Sequence, residues 1–95
     1  MAFAVDAKDP SEVLDYGVNW TDELGGDSIL SHNWAVSEGD VTLGVKSIET
    51  ADGETFAKVW VSGGTAGTIA ILTSTITTAG GRTFEQSIKI SVVQK

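Results

Sequence analysis

The chain has 95 residues, no cysteine and a formal net charge of −7. This length leaves room for one domain with one core, and the lack of cysteine excludes disulfides, thiolate metal ligands and a cysteine nucleophile. The acidic balance argues against binding to nucleic acid or to an anionic membrane, because both need clustered Lys and Arg.

The acidic charge is concentrated in the first part of the chain. Residues 1–54 hold twelve acids and two lysines, a net charge of −10, whereas residues 55–95 hold one acid and four bases, a net charge of +3. Residues 1–6 lack the basic region and the long apolar core of a signal peptide, and no apolar run approaches the roughly 18 residues of a membrane span. We therefore expect synthesis in a cytoplasm.

Alternating apolar residues predict the first two long strands. The first strand carries apolar side chains at Leu14, Tyr16, Val18 and Trp20. After a turn-like segment over 21–27, a second strand is predicted from 28 to 36. Its expected core face carries Leu30, His32, Trp34 and Val36.

Two hairpins are predicted from the remaining alternation and turn residues. A third strand, with Val41, Leu43 and Val45 alternating, reaches about residue 48 and turns at Asp52-Gly53 into a fourth strand over 55–61. A β-branched fifth strand over 68–78 turns at Gly80-Gly81 into the last strand, over 83–93. One face of the last strand carries Phe84, Ile88, Ile90 and Val92.

The fourth strand has two possible registers. If Ala57 and Val59 face the core, Phe56, Lys58 and Trp60 project from an outer sheet face and form a candidate partner-binding patch. In the reverse register the two aromatics are buried and the small residues lie outside. Alternation alone does not choose between the two registers.

Six long strands, or seven with a short one from Phe3 to Val5, predict an all-β, immunoglobulin-like sandwich of two antiparallel sheets. Residues 1–10 are assigned to an N-terminal arm and residues 11–95 to a single domain. In the arm, Phe3 and Val5 are candidates to add as a strand to a partner's sheet edge.

Catalytic and cofactor chemistry finds little support in these residues. His32 is the only histidine, which makes a Ser-His-Asp set improbable, and we predict no enzymatic activity and no cofactor. A calcium site is left open because several acids lie near expected strand ends, but turn formation is the favoured interpretation of them. These acids are Asp6, Asp9, Asp22, Glu23 and Asp27.

The order and spacing of several motifs resemble a family of small tailed-bacteriophage proteins, the fibre-to-tail adaptors. The motifs are Lys8-Asp9-Pro10, Leu14-Asp15-Tyr16, Val18, Trp20, the segment 24–29, Trp34, the glycine-containing segments 61–67 and 76–83, and the segment 85–88. The resemblance covers most of residues 8–92. It implies an immunoglobulin-like component of the virion tail region, without activity or cofactor, that contacts tail, connector or fibre proteins.

Two hypotheses follow for the function. The favoured one is a virion adaptor present as a homo-oligomeric ring, in which the charge split brings acidic and basic surfaces of neighbouring copies together; the competing interpretation is that strands from the two parts interleave and the split averages out. The rival hypothesis is an adhesive or carbohydrate-binding module that stacks sugars on Trp20, Trp60 or Tyr16, or a capsid decoration protein.

Overall fold

A computed structural model describes residues 5–95, which form seven strands and one single-turn helix. The elements are β1 (Val5–Lys8), β2 (Leu14–Asn19), α1 (Thr21–Leu24), β3 (Ile29–Glu38), β4 (Val41–Ala51), β5 (Glu54–Gly63), β6 (Ile69–Thr78) and β7 (Thr83–Val92). The helix occupies the segment that the sequence marks as a turn between the first two long strands. In this part of the chain no helix has the length and apolarity to cross a membrane.

The strands form two sheets. Sheet I has the order β1-β7-β6-β3, and sheet II has the order β2-β5-β4. The predicted all-β sandwich is therefore confirmed, but sheet I is mixed rather than antiparallel, because β1 runs parallel to β7. Parallel pairing requires a long connection between the strands, and here nearly the whole chain separates them.

The strand order can be compared with that of an immunoglobulin constant-type sandwich, which packs strands ABED against CFG. Lettered A to G in chain order, the present sheets read AGFC and BED. The neighbours B-E-D and C-F-G are shared. The difference lies in the first strand, which joins the sheet of the last strand.

The core lies between the inner faces of the two sheets and contains two of the three tryptophans. Trp20 is 1% exposed, and its indole Nε1 donates a hydrogen bond of 3.3 Å to Ser74 Oγ on β6. Its ring centroid lies 6.2 Å from that of Phe84 on β7. Trp20 follows β2 of sheet II, so these contacts join the two sheets.

Two expected core residues are exposed. Leu30 and Val45 are each 73% exposed, because one extra residue in the strand shifts the pairing of β3 after Ile29 and of β4 after Leu43. Such a bulge reverses the inward and outward alternation that the sequence pattern assumes. The expected inward placement of Trp34 and Val36 on β3 is confirmed, since both pack in or against the core.

Both predicted hairpins are confirmed. Asp52 and Gly53 have φ values of 51° and 78° between β4 and β5, as a two-residue turn with positive φ at both positions requires. Gly81 has φ of 89° in the turn between β6 and β7. The shared face of the last strand also lies inward, with Ile88, Ile90 and Val92 buried and Phe84 packed against the core.

Candidate partner-binding surface

The structure selects the first of the two registers of β5. Ala57, Val59 and Val61 are at most 1% exposed, so Phe56, Lys58 and Trp60 project from the opposite side. This strand is the centre of sheet II, between β2 and β4. The three predicted side chains therefore lie on the middle of an outer sheet face.

Trp60 is the most exposed tryptophan, with 47% of its surface accessible. On one side it pairs with Asp15 of β2, and on the other it lies opposite the bulge of β4, which contains Gly44 and the exposed Val45. A Cβ atom on Gly44 would lie 3.4 Å from Trp60 Cβ, so this glycine leaves room beside the indole. The Trp60 ring is therefore accessible, and the exposed apolar side chain of Val45 lies on the neighbouring strand.

Lys58 lies between the two aromatics along β5, and its charge is compensated. Its Nζ is 3.1 Å from Glu49 Oε1 and 3.9 Å from Asp15 Oδ2. Gly17 lies opposite, and a Cβ atom there would approach Lys58 Cγ to 3.1 Å. The glycine thus lets the lysine stem lie across the neighbouring strand, where the ammonium group bridges two acids.

Phe56 extends the same row towards the hairpin turn at Asp52-Gly53. It is half-buried and pairs with Asn19 of β2 and Glu49 of β4. We call the whole surface the Trp60 face. It consists of Asp15, Val45, Glu49, Phe56, Lys58 and Trp60.

The other predicted contact residues lie elsewhere. Val5 begins β1 in sheet I, where its backbone pairs with Lys89 of β7. Phe3 lies outside the described residues. Val5 and the Trp60 face therefore belong to different sheets.

Three of the four bases in residues 55–95 pair with acids of residues 1–54 within the molecule. Each sheet contains strands from both parts. The ion pairs of the described residues join an acid of the first part to a base of the second: Asp15 and Glu49 with Lys58, Asp27 with Arg82, and Glu12 with Lys95. The interleaving interpretation therefore holds, and the split does not support complementary surfaces on neighbouring copies.

Sequence reasoning missed a polar cluster around a buried lysine where β1 ends. Lys8 is fully buried, and its Nζ donates to the carbonyl oxygens of Asp9 and Gly63 at 3.0 and 2.6 Å. The charged pair Lys8-Asp9 before Pro10 is visible in the sequence, but it contributes there only to the family resemblance and does not predict a buried lysine. We call this cluster the N-terminal corner: Lys8, Asp9, Ser11, Glu12 and Lys95.

Asp9 connects this corner to the end of the chain. Its carboxylate accepts hydrogen bonds from the backbone N–H and hydroxyl of Ser11 and from the backbone N–H of Lys95. The backbone N–H groups of Ser11 and Lys95 are the main reasons that the pKa of Asp9 falls to about 2. Asp9 therefore holds the segment that follows β1 to the residues that follow β7.

Two of the acids considered for calcium, Asp9 and Asp27, lie in different parts of the molecule. Asp9 lies in the N-terminal corner. Asp27 lies beside the turn that follows β6, where its carboxylate accepts hydrogen bonds from the backbone N–H groups of Ser28 and Gly80. Within residues 5–95 no group of three or more His, Asp or Glu side chains is placed to hold a metal ion. Both carboxylates act as turn and backbone acceptors.

His32 lies on the side of the sandwich where β3 and β4 approach each other. Its carbonyl oxygen accepts a hydrogen bond of 2.7 Å from Lys46 Nζ, while its Nδ1 is buried without a partner in the described part of the chain. Burial, and then the nearby Lys46 charge, lower the pKa of His32. Residues 5–95 also form no pocket.

The fold and the exposed face define a small two-sheet β-sandwich whose accessible features are surfaces rather than clefts. The family model described as podophage GP4 fiber-tail adaptor protein gp77 matches residues 8–91. The chain belongs to this family, which confirms the resemblance and supports a structural role in the virion. A search of curated proteins finds no match.

Proposed function

We propose that this chain is a non-enzymatic adaptor in the tail region of a podophage, where it joins tail or connector components to fibre proteins. Family membership supports the adaptor role. The observation in the molecule that supports a contact function is the 47% exposure of Trp60 at the centre of sheet II. Tryptophan is enriched among the residues that contribute most to protein–protein binding.

The composition of the Trp60 face fits a protein partner. Trp60 and Val45 provide apolar area, and Asp15, Lys58 and Glu49 form a charged network beside them. An aromatic centre with polar groups at its margin is the usual anatomy of a protein–protein interface. Because Lys58 is already paired with two acids, the surface stays acidic overall and favours a partner with basic groups around an apolar centre.

The rival sugar-binding hypothesis loses most of its residues. Trp20 is 1% and Tyr16 is 8% exposed, so neither ring offers a stacking platform. Trp60 alone of the three named aromatics is accessible. A test of Trp60 therefore has to distinguish binding of a fibre protein from binding of a carbohydrate.

The test uses phage carrying Trp60→Ser, with Ile69→Ser as a matched control. Ile69 is an exposed apolar residue on sheet I, away from the Trp60 face. We expect the number of fibre proteins per particle to fall at least about tenfold for Trp60→Ser, which corresponds to roughly 1.4 kcal/mol of binding, and to stay normal for Ile69→Ser. Quantitative mass spectrometry of purified particles measures both.

A normal fibre content in Trp60→Ser particles would refute this face as the fibre contact. If fibres were present but particles no longer bound host-surface glycans, the carbohydrate hypothesis would replace it. Thermal unfolding of the purified variants shows whether each chain is folded before assembly is scored.

The arm contact and the homo-oligomeric ring are further parts of the proposal. Since the backbone of Val5 pairs with β7, the deletion that tests an arm contact is that of residues 2–4, which leaves β1 in place. Loss of the chain from particles would support a contact involving Phe3. Native mass spectrometry of isolated tails would give the number of copies and so test the ring.

A further inference from the structure

Strand β7 is paired over only part of its length on the side where β1 lies. Nine of its ten residues, from Thr83 to Ser91, pair with β6 on its other side, but β1 pairs only with the four residues from Lys89 to Val92. Among the described elements, none pairs with the stretch from Thr83 to Ile88 on that side. We call this stretch the open edge of β7.

The hydrogen bonds at the end of β7 show which groups the open edge presents. The N–H and carbonyl of Val92 bond to Thr68 and Gly67, on the β6 side, whereas the N–H of Val93 donates to the Lys8 carbonyl, on the β1 side. Backbone groups alternate with a period of two along a strand. The N–H and carbonyl groups of Thr83, Glu85 and Ser87 therefore point to the open side.

This edge lacks the features found at two other exposed edges of the sandwich, those of β3 and β4, and it differs from the edge of β2 because part of it already pairs with a strand, β1. Strand β3 has two bulges and β4 has one, and Lys46 of β4 reaches across to the His32 carbonyl. In contrast, β7 pairs with β6 in unbroken register from Thr83 to Ser91 and contains no proline. Proteins commonly use bulges, lysine and proline to prevent strand addition, so the regular open edge of β7 is suited to accept a strand.

The inner side of the open edge defines the side chains that a partner needs. Phe84 and Gln86 are half-buried and Ile88 is 8% exposed, all on the core side of β7. Phe84 packs beside Trp20 at a ring-centroid distance of 6.2 Å. An added strand with small apolar residues at its inward positions would extend this packing.

We propose that the open edge of β7 binds an extended segment of another virion protein, which adds to sheet I as a strand in line with β1. This inference rests on the adaptor function proposed above and adds a second contact in the other sheet. Strand β1 already occupies the same edge by backbone pairing, and addition of a partner strand is an established mode of recognition. Backbone hydrogen bonds provide the affinity and the alternating inward side chains provide the specificity.

The test uses particles assembled without this chain, to which the purified full-length chain is added. Glu85→Pro removes one open-side N–H and none that bonds to β6, and proline is tolerated in that position of an edge strand. We expect Glu85→Pro to be recovered with particles at least about tenfold less than the wild type, and Glu85→Ala, which keeps the N–H, to be recovered normally. Thr83→Pro serves as a second variant if Glu85→Pro does not fold.

Normal recovery of both proline variants would overturn the open-edge proposal while leaving the adaptor function intact. Failure of the wild-type chain itself to bind the particles would count against the adaptor function instead.

Amide hydrogen exchange in the isolated chain tests which segment occupies the edge. We expect fast exchange at Thr83, Glu85 and Ser87 beside slow exchange at Gln86 and Ile88. If the first three amides are protected until residues 2–4 are deleted, the chain itself occupies the edge and the proposal is wrong. A concentration-dependent dimer of the isolated chain that Glu85→Pro abolishes would also overturn it, since the occupant would then be a second copy.

Discussion

The N-terminal corner and the Trp60 face both combine a lysine with carboxylates, but they use these groups in opposite ways. In the corner, Lys8 is fully buried and donates to two backbone carbonyls. On the face, the Lys58 side chain is 33% exposed and bridges two surface acids. The first arrangement satisfies the backbone inside the fold, whereas the second leaves an accessible surface.

The tryptophans show the same difference. Trp20 is 1% exposed and contacts the opposite sheet, whereas Trp60 is 47% exposed on an outer face. Lys8 and Trp20 belong to the motifs that resemble the adaptor family, but Trp60 does not. The motifs that identify the family therefore include central structural residues, whereas the exposure of the candidate contact residue is known only from the structure.

The largest expected difference in unfolding free energy is that between variants of Trp20 and of Trp60. Trp20→Ala removes a buried ring and the bond to Ser74, and should lower the free energy of unfolding by about 3–5 kcal/mol. Trp60→Ala should lower it by less than about 1 kcal/mol, as expected for a surface substitution that removes only part of the packing. Chemical denaturation of both variants measures the difference, and equal losses would contradict the assignment of separate roles.

A smaller difference in unfolding free energy is expected between variants of Lys8 and of Lys58. Lys8→Met keeps the length of the side chain but leaves the carbonyls of Asp9 and Gly63 without their donor; we expect a loss of about 2 kcal/mol of unfolding free energy. Lys58→Met should cost less than about 1 kcal/mol, because exposed ion pairs contribute little. A Lys8→Met variant as stable as the wild type would show that these buried bonds contribute no net stability.

The smallest expected effect is a pH dependence that distinguishes the corner from the face. The folded pKa of Asp9 is about 2, below its ordinary value of 3.8. Its stabilising contribution is therefore fully present above about pH 4 and is lost as the pH falls towards 2. Urea unfolding between pH 5 and pH 2 should show a shallower loss of stability for Asp9→Asn than for the wild type.

The comparison of Asp9→Asn with the wild type has a background from other carboxylates, and Trp60→Ala serves as its control. Glu12, Asp27 and Asp40 also have lowered pKa values, through hydrogen bonds to Lys95, Thr78 and Thr65 respectively, so the wild type should lose some stability in acid even without the Asp9 contribution. Trp60→Ala should retain the full acid dependence of the wild type. A slope that is identical in Asp9→Asn and wild type would contradict the role given to Asp9.

Much of the fold was predictable because its signals are local. The alternation of Tyr16, Val18 and Trp20 indicates a half-buried strand wherever that strand lies. Asp52-Gly53 similarly favours a tight turn through the backbone preferences of two residues. These features depend on residues close together in the chain.

The bulges and the candidate site were less predictable because they depend on pairing between distant residues. Leu30 and Val45 follow the alternation of their strands, yet an extra residue in each ladder turns them outwards. The register of β5 depends on its simultaneous pairing with β2 and β4. No alternation within a single strand reports that pairing.

The all-β class, the hairpin turns and the family were thus available from the amino-acid sequence, because periodicity and turn chemistry act over a few residues. The exposure of Trp60, the burial of Lys8, the internal pairing of the charge split and the open edge of β7 were decided by the tertiary structure. Each of them depends on which strands become neighbours, and the strands concerned lie up to about eighty positions apart in the chain.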